Sequence, residues 1–137
     1  IIKKQEALMI EIGIKGKEET IVCDENSAVV MGSGTLKVFA TPSMAALMEK
    51  TAWKSVAPYL EEGQCTVGTK LNLSHTASTP IGMKVYCESE LTAVEGRKLV
   101  FKITAMDECG EIGSCEHERF IVDDVKFQNK TDAKLKK

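Results

Sequence analysis

From position 42 to position 60 apolar residues return every three or four places, the period of an amphipathic helix. Advanced by roughly 100° per residue, Met44, Ala45, Met48, Ala52, Trp53, Val56, Tyr59 and Leu60 gather on one arc, with Lys50 and Lys54 opposite. Thr41-Pro42 opens this helix and Gly63 closes it. Beyond Gly63 the period drops to two. Stretches 66–77, 83–93, 98–106 and 112–122 alternate apolar with polar positions, as half-buried strands do. In the first of them Val67, Thr69, Leu71, Leu73, His75 and Ala77 share one face, while Thr66, Gly68, Lys70, Asn72, Ser74 and Thr76 share the other. Upstream, 7–25 predicts a hairpin: Ile10, Ile12 and Ile14 alternate with polar positions, and Gly16-Lys17 turns the chain. Positions 26–36, rich in small residues, predict a loop or lid, and 37–40 an extended approach to the helix. The tail from Asp123 is Lys-rich with little apolar spacing, and its last residues are expected to fray.

A long helix followed by an antiparallel run of strands makes an α+β domain, with the sheet's apolar face wrapped across the helix. The 137 residues suffice for one core and one domain, with the core expected at about 7–124 and the lysines beyond it. Exposed sheet edges call for a second copy, so a homodimer or a higher oligomer is expected. Hydrophobic content of 43% and charged content of 28% fit a soluble globular chain, and a net charge of −2 argues against nucleic-acid binding. No apolar run has the length of a membrane span, and no secretory signal is read near the N-terminus. The five cysteines, at 23, 65, 87, 109 and 115, form no CxxC pair, and the two histidines offer little to a zinc site. No metal is expected, and a reducing cytoplasm is the expected compartment.

Three side chains stand out chemically. Glu49 sits inside the apolar arc, between Ala45 and Trp53, where a carboxylate must be paired, hydrogen-bonded or protonated unless it reaches water at the stripe's rim. His75 belongs to the apolar face of the first long strand, the face that must cover the helix. Alone it reads as a core histidine; facing Glu49 it reads as an acid–base partner. Thr41 before Pro42 is explained by helix capping, though a hydroxyl at a helix start also sits in positive potential suited to an oxyanion.

The string Phe39-Ala40-Thr41-Pro42-Ser43-Met44-Ala45-Ala46-Leu47-Met48-Glu49 resembles the hotdog-fold thioesterases of the fluoroacetyl-CoA thioesterase type. Val67-Gly68-Thr69, His75-Thr76-Ala77-Ser78-Thr79-Pro80-Ile81-Gly82, and Gly113, His117, Arg119 and Phe120-Ile121-Val122 extend the match over roughly 7–124. The resemblance implies a sheet wrapped round one long central helix, two subunits joined into a continuous sheet, and hydrolysis of acyl-CoA. It implies Thr41, Glu49 and His75 as active groups, with Gly68 and Arg119 at the ligand, in sites at the subunit interface. One departure concerns the lid. The family's fluoroacetate-selective member is said to use phenylalanines there, and 26–38 has none, which points to an ordinary short or medium acyl group.

The parts suit thioester cleavage. N–H donors such as that of Gly68 would hold the carbonyl oxygen. His75 would take a proton from Thr41 or from water, with Glu49 orienting it. Arg119 is read either as a ligand contact or as one half of a surface ion pair with Glu116 or Glu118, and His117 as structural or ligand-adjacent. No cofactor is expected, coenzyme A being part of the substrate. Two rivals share the fold: a protein that binds acyl-CoA without cleaving it, and a hydratase or dehydratase acting on the acyl chain.

Overall fold

A computed structural model of the protein describes residues 9–136. Among these residues five strands, β1 (Lys15–Ile21), β2 (Gln64–His75), β3 (Lys84–Glu95), β4 (Lys98–Asp107) and β5 (Gly110–Asp123), form one sheet in the order β1-β3-β4-β5-β2. Every neighbouring pair is antiparallel. Among the described residues three α-helices accompany it: α1 (Ala28–Met31), α2 (Thr41–Val56) and α3 (Asp124–Asp132). The alternation read in the sequence now has a target. Val85, Cys87 and Leu91 of β3, Leu99, Phe101, Ile103 and Ala105 of β4, and Ile112 and Cys115 of β5 pack against Met44, Leu47, Met48, Ala52 and Val56 of α2. No helix among the described residues is long and apolar enough to cross a membrane.

Several elements depart from their expected form. The long helix ends at Val56, not at 60, and passes into a 3-10 turn at Ala57–Tyr59. Pro58 is the reason: it lacks an N–H, and its ring clashes with the carbonyl four residues back. The buried arc also includes Leu47 and Thr51, while Trp53 is 43% exposed. The helix lies mainly over β1 and β3, which leaves its Glu49–Trp53 margin turned toward β2.

The expected hairpin is absent among the described residues. Residues 9–14 form no strand, and positions 7 and 8 lie outside the described residues. Gly16 is no turn but a member of β1, which pairs with β3 from Lys15↔Glu90 to Ile21↔Lys84. A Cβ at Gly16 would stand 2.6 Å from Ser55 Cβ and 2.8 Å from the Thr51 carbonyl, so its missing side chain lets β1 approach the helix. The small-residue segment folds a turn of helix, α1, whose Ser27 Oγ accepts the Val30 N–H and which Gly32 ends at φ 81°. Residues 37–40 are extended, bridged at Val38 to Pro80 and at Phe39 to Ser27. The tail opens as a helix, α3, capped at Asp123 and tied down by the Asp124 N–H on the Gly63 carbonyl at 2.8 Å.

The first long strand is Gln64–His75, and its alternation breaks. A bulge between Gly68 and Lys70 inserts one residue into the pairing with β5. Thr66 and Gly68 therefore face the helix on one side of the bulge, and Leu71, Leu73 and His75 face it on the other. A strictly two-residue period had placed Gly68 away from the helix. The extra residue reverses that.

Candidate active site

Thr41 is the first residue of α2, preceded by an extended Ala40 as N-cap, and no side chain caps the helix. The expected capping role is therefore unfilled. Thr41 Oγ1 turns instead to His75 at the end of β2 and lies 2.8 Å from Nδ1. His75 pairs with Gly113 of β5, and that glycine is required. A Cβ there would stand 2.5 Å from the Ser74 carbonyl and 2.6 Å from Met44 Cε.

Burial pushes the His75 pKa down, opposed in part by the Ala77 carbonyl, so the ring is neutral at pH 7. Its other nitrogen, Nε2, is buried without a hydrogen-bond partner among the described residues. If Nδ1 accepts from Thr41, Nε2 carries the hydrogen and needs an acceptor. Beside the pair opens a cleft of about 250 Å³, walled by Ala28, Val38, Phe39, Ala77 and Ser78.

A second cluster lies along α2. Glu49 follows Thr41 by eight residues, about 12 Å at helical rise, and is half-buried. Its Oε2 stands over Gly68, 2.9 Å from where a Cβ would be, and Arg119 Nη1 and His117 Cε1 approach the same point at 3.2 and 3.3 Å. Arg119 is only 6% exposed. Its Nε donates to Thr66 Oγ1 at 2.7 Å, Nη2 to the Thr66 carbonyl at 2.9 Å, and Nη1 to His117 Nε2 at 3.1 Å. A guanidinium only donates, so Nε2 of His117 accepts and Nδ1–H donates to the Lys70 carbonyl at 2.8 Å. Burial, then the Arg119 charge, holds His117 below the ordinary imidazole value, against the Lys70 carbonyl. Burial lowers Arg119 too, and the Glu49 carboxylate opposes that shift.

Within one chain, then, Thr41 meets His75, and Glu49 meets Gly68 and Arg119. The two groups stay apart. The surface ion pair considered for Arg119 is not formed: Glu118 pairs with Lys98 at 3.7 Å, and the guanidinium points inward. His117 is a member of the second cluster that sequence reasoning left unassigned. Its spacing of two from Arg119 on one strand face was the available signal. Among the described residues no cluster of three or more His, Cys, Asp or Glu side chains is placed to hold a metal ion.

Residues 22–125 match the family described as fluoroacetyl-CoA-specific thioesterase. The fluoroacetyl-CoA thioesterase of Streptantibioticus cattleyicolor is 44% identical over 98 residues, 72% of this chain and 70% of that protein. A solved fluoroacetyl-CoA thioesterase superposes with a TM-score of 0.86 at 34% identity, covering 91% of this chain and 97% of that one. A hot-dog-like protein from Thermanaerovibrio acidaminovorans shares the fold at TM-score 0.83 and 18% identity, with 97% of each chain covered. The resemblance drawn from Phe39–Glu49 and the later motifs is thus the relationship found, and the chain belongs to the fluoroacetyl-CoA-specific thioesterase family, with its hotdog fold.

Proposed function

We propose that the protein hydrolyses a short- or medium-chain acyl-CoA to the free acid and coenzyme A. The observation that carries this reading is the 2.8 Å contact of Thr41 Oγ1 with Nδ1 of a neutral, half-buried His75. A hydroxyl beside an unprotonated imidazole is an activated oxygen. In the proposed course His75 takes the Thr41 proton as the hydroxyl adds to the thioester carbonyl. The proton then passes to the departing thiolate, and water releases the acid from Thr41. Only water is consumed, so no cofactor is invoked. The cleft of about 250 Å³, bounded by Ala28 at the start of α1 and by Ser33 just beyond it, suits a small acyl group.

The orphaned Nε2 calls for an acceptor, and Glu49 of the same chain is too far along α2 to serve. A homodimer resolves this. β1 is a short edge of seven residues, four of them charged, whereas β2 is an open edge of twelve with Lys70 its one charged residue. Antiparallel pairing of β2 with a second copy, centred between Gly68 and His75, carries His75 toward Glu49, Gly68 and Arg119 of the partner subunit. Glu49 would then orient the imidazole, and Gly68 and Arg119 would hold the ligand. A cytoplasmic setting belongs to the same proposal, supported by five free thiols.

The test is a panel of acyl-CoA esters assayed for free thiol, alongside T41A, H75A and E49A. Thiol release that falls about 10²-fold or more in H75A and E49A is expected. Thermal stabilisation by acyl-CoA without thiol release would instead identify a binding protein.

A further inference from the structure

Thr41 and His75 come from two separate stretches of chain, and their contact is only as firm as the hold of one stretch on the other. Thr41 follows the extended residues 37–40, while His75 leads out of β2 into the connection 76–83. These stretches are tied directly. The Phe39 N–H donates to the Thr79 carbonyl at 2.9 Å, and Val38 bridges to Pro80. Phe39 lies two residues before Thr41, and Thr79 lies four after His75. The tie therefore closes a short ring of chain through the 2.8 Å contact of Oγ1 with Nδ1.

Thr79 is fixed in turn from its other side. It is fully buried, and its hydroxyl donates to Asp107 Oδ2 at 2.8 Å. Asp107 ends β4 and is 8% exposed. Its Oδ1 accepts the Cys109 N–H at 2.8 Å and the Gly110 N–H at 3.2 Å, which shapes the turn into β5. That turn uses one oxygen of the carboxylate; the other is given to Thr79. A carboxylate accepts from all three donors, and a hydroxyl bonded to a charge is held more tightly than one bonded to a neutral group. Neither residue lines the cleft beside Thr41.

We propose, on the hydrolase reading given above, that Thr79 and Asp107 are positioning residues for the reaction. The pair pins the 76–83 connection to the end of β4 and so holds His75 against Thr41. Proton transfer needs the two heavy atoms within about 3.2 Å. A displacement of about 1 Å costs up to roughly 10²-fold in rate.

The test compares T79V, which keeps the shape and loses the hydroxyl, with T79S, which keeps the hydroxyl. In T79V, kcat for the best ester of the panel falls about tenfold or more while KM stays within about twofold, because Gly68 and Arg119 belong to the other cluster. T79S recovers kcat. The chain has two histidines, so NMR titration gives a second readout with an internal control. In T79V the His75 midpoint rises toward about 6.5 as its burial is lost, the His117 midpoint stays, and T79S restores the first. Should T79V not fold, T79A, which leaves room for a water on Asp107, takes its place in both measurements. A variant kcat within about twofold of the unaltered value, a T79S no better than T79V, or histidine midpoints that move together each overturn the proposal. If the unaltered protein cleaves no ester, the hydrolase reading fails; the titration still decides whether Thr79 holds His75, and an unmoved midpoint refutes it.

Discussion

Nη1 of Arg119 donates to Nε2 of His117 across 3.1 Å, and with Thr66 receiving the other two nitrogens the guanidinium has a single orientation. The same imidazole ties the bulge of β2 through the Lys70 carbonyl. One buried ring thus fixes both the backbone that presents Gly68 and the cation beside it.

Replacing His117 by alanine leaves the Lys70 carbonyl and Arg119 Nη1 without partners and opens a hole in a fully buried position. A loss of about 2–4 kcal/mol is expected from urea denaturation. H117Q keeps one donor and one acceptor and should recover part of that loss. The sharper readout is kinetic: in the proposed enzyme, H117A raises KM for acyl-CoA more than it lowers kcat, and H117Q restores KM. A kcat defect with unchanged KM would count against His117 acting through Arg119.

Acid should weaken the protein through both histidines. Their folded pKa values lie below the ordinary value of about 6.5, chiefly because burial disfavours the cation. The unfolded chain therefore takes up protons first as pH falls. Their contribution is complete above about pH 6.5 and is lost as pH drops through the lower folded values. Denaturation at pH 7.5, 6.0 and 5.0 should show a progressive loss, smaller in H75A. With His75 as the base proposed above, turnover needs its neutral ring, so kcat/KM should fall on the acid side with an apparent pKa under 6.5. An acid limb centred above that value is incompatible with the role given to His75.

Gly113→Ala places a methyl group against the Ser74 carbonyl at 2.5 Å. Backbone cannot yield as a side-chain tip can, so β5 must move from β2 beside His75. A destabilisation of about 1–3 kcal/mol is expected, with turnover reduced beyond what the stability loss explains. Gly68→Ala makes the contrast, since its nearest obstacle is the mobile end of Glu49. That variant should stay folded, its thermal midpoint close to that of the unaltered chain, while hydrolysis drops.

The sequence by itself determined the period of the long helix and of β3, β4 and β5, and with it the α+β class. Alternation in β3, β4 and β5 and the helical spacing from Met44 to Val56 are consequences of burying one face, a constraint local enough to be written in neighbouring residues. The string from Phe39 to Glu49 likewise carried the family. Tertiary structure decided the rest. Whether Thr41 caps its helix or turns to His75 depends on a partner 34 residues away. The side to which Gly68 points depends on one bulged residue, because a single insertion inverts a two-residue period. Separation of Glu49 from His75 follows from helical rise and strand direction together, which no spacing along a one-dimensional chain contains.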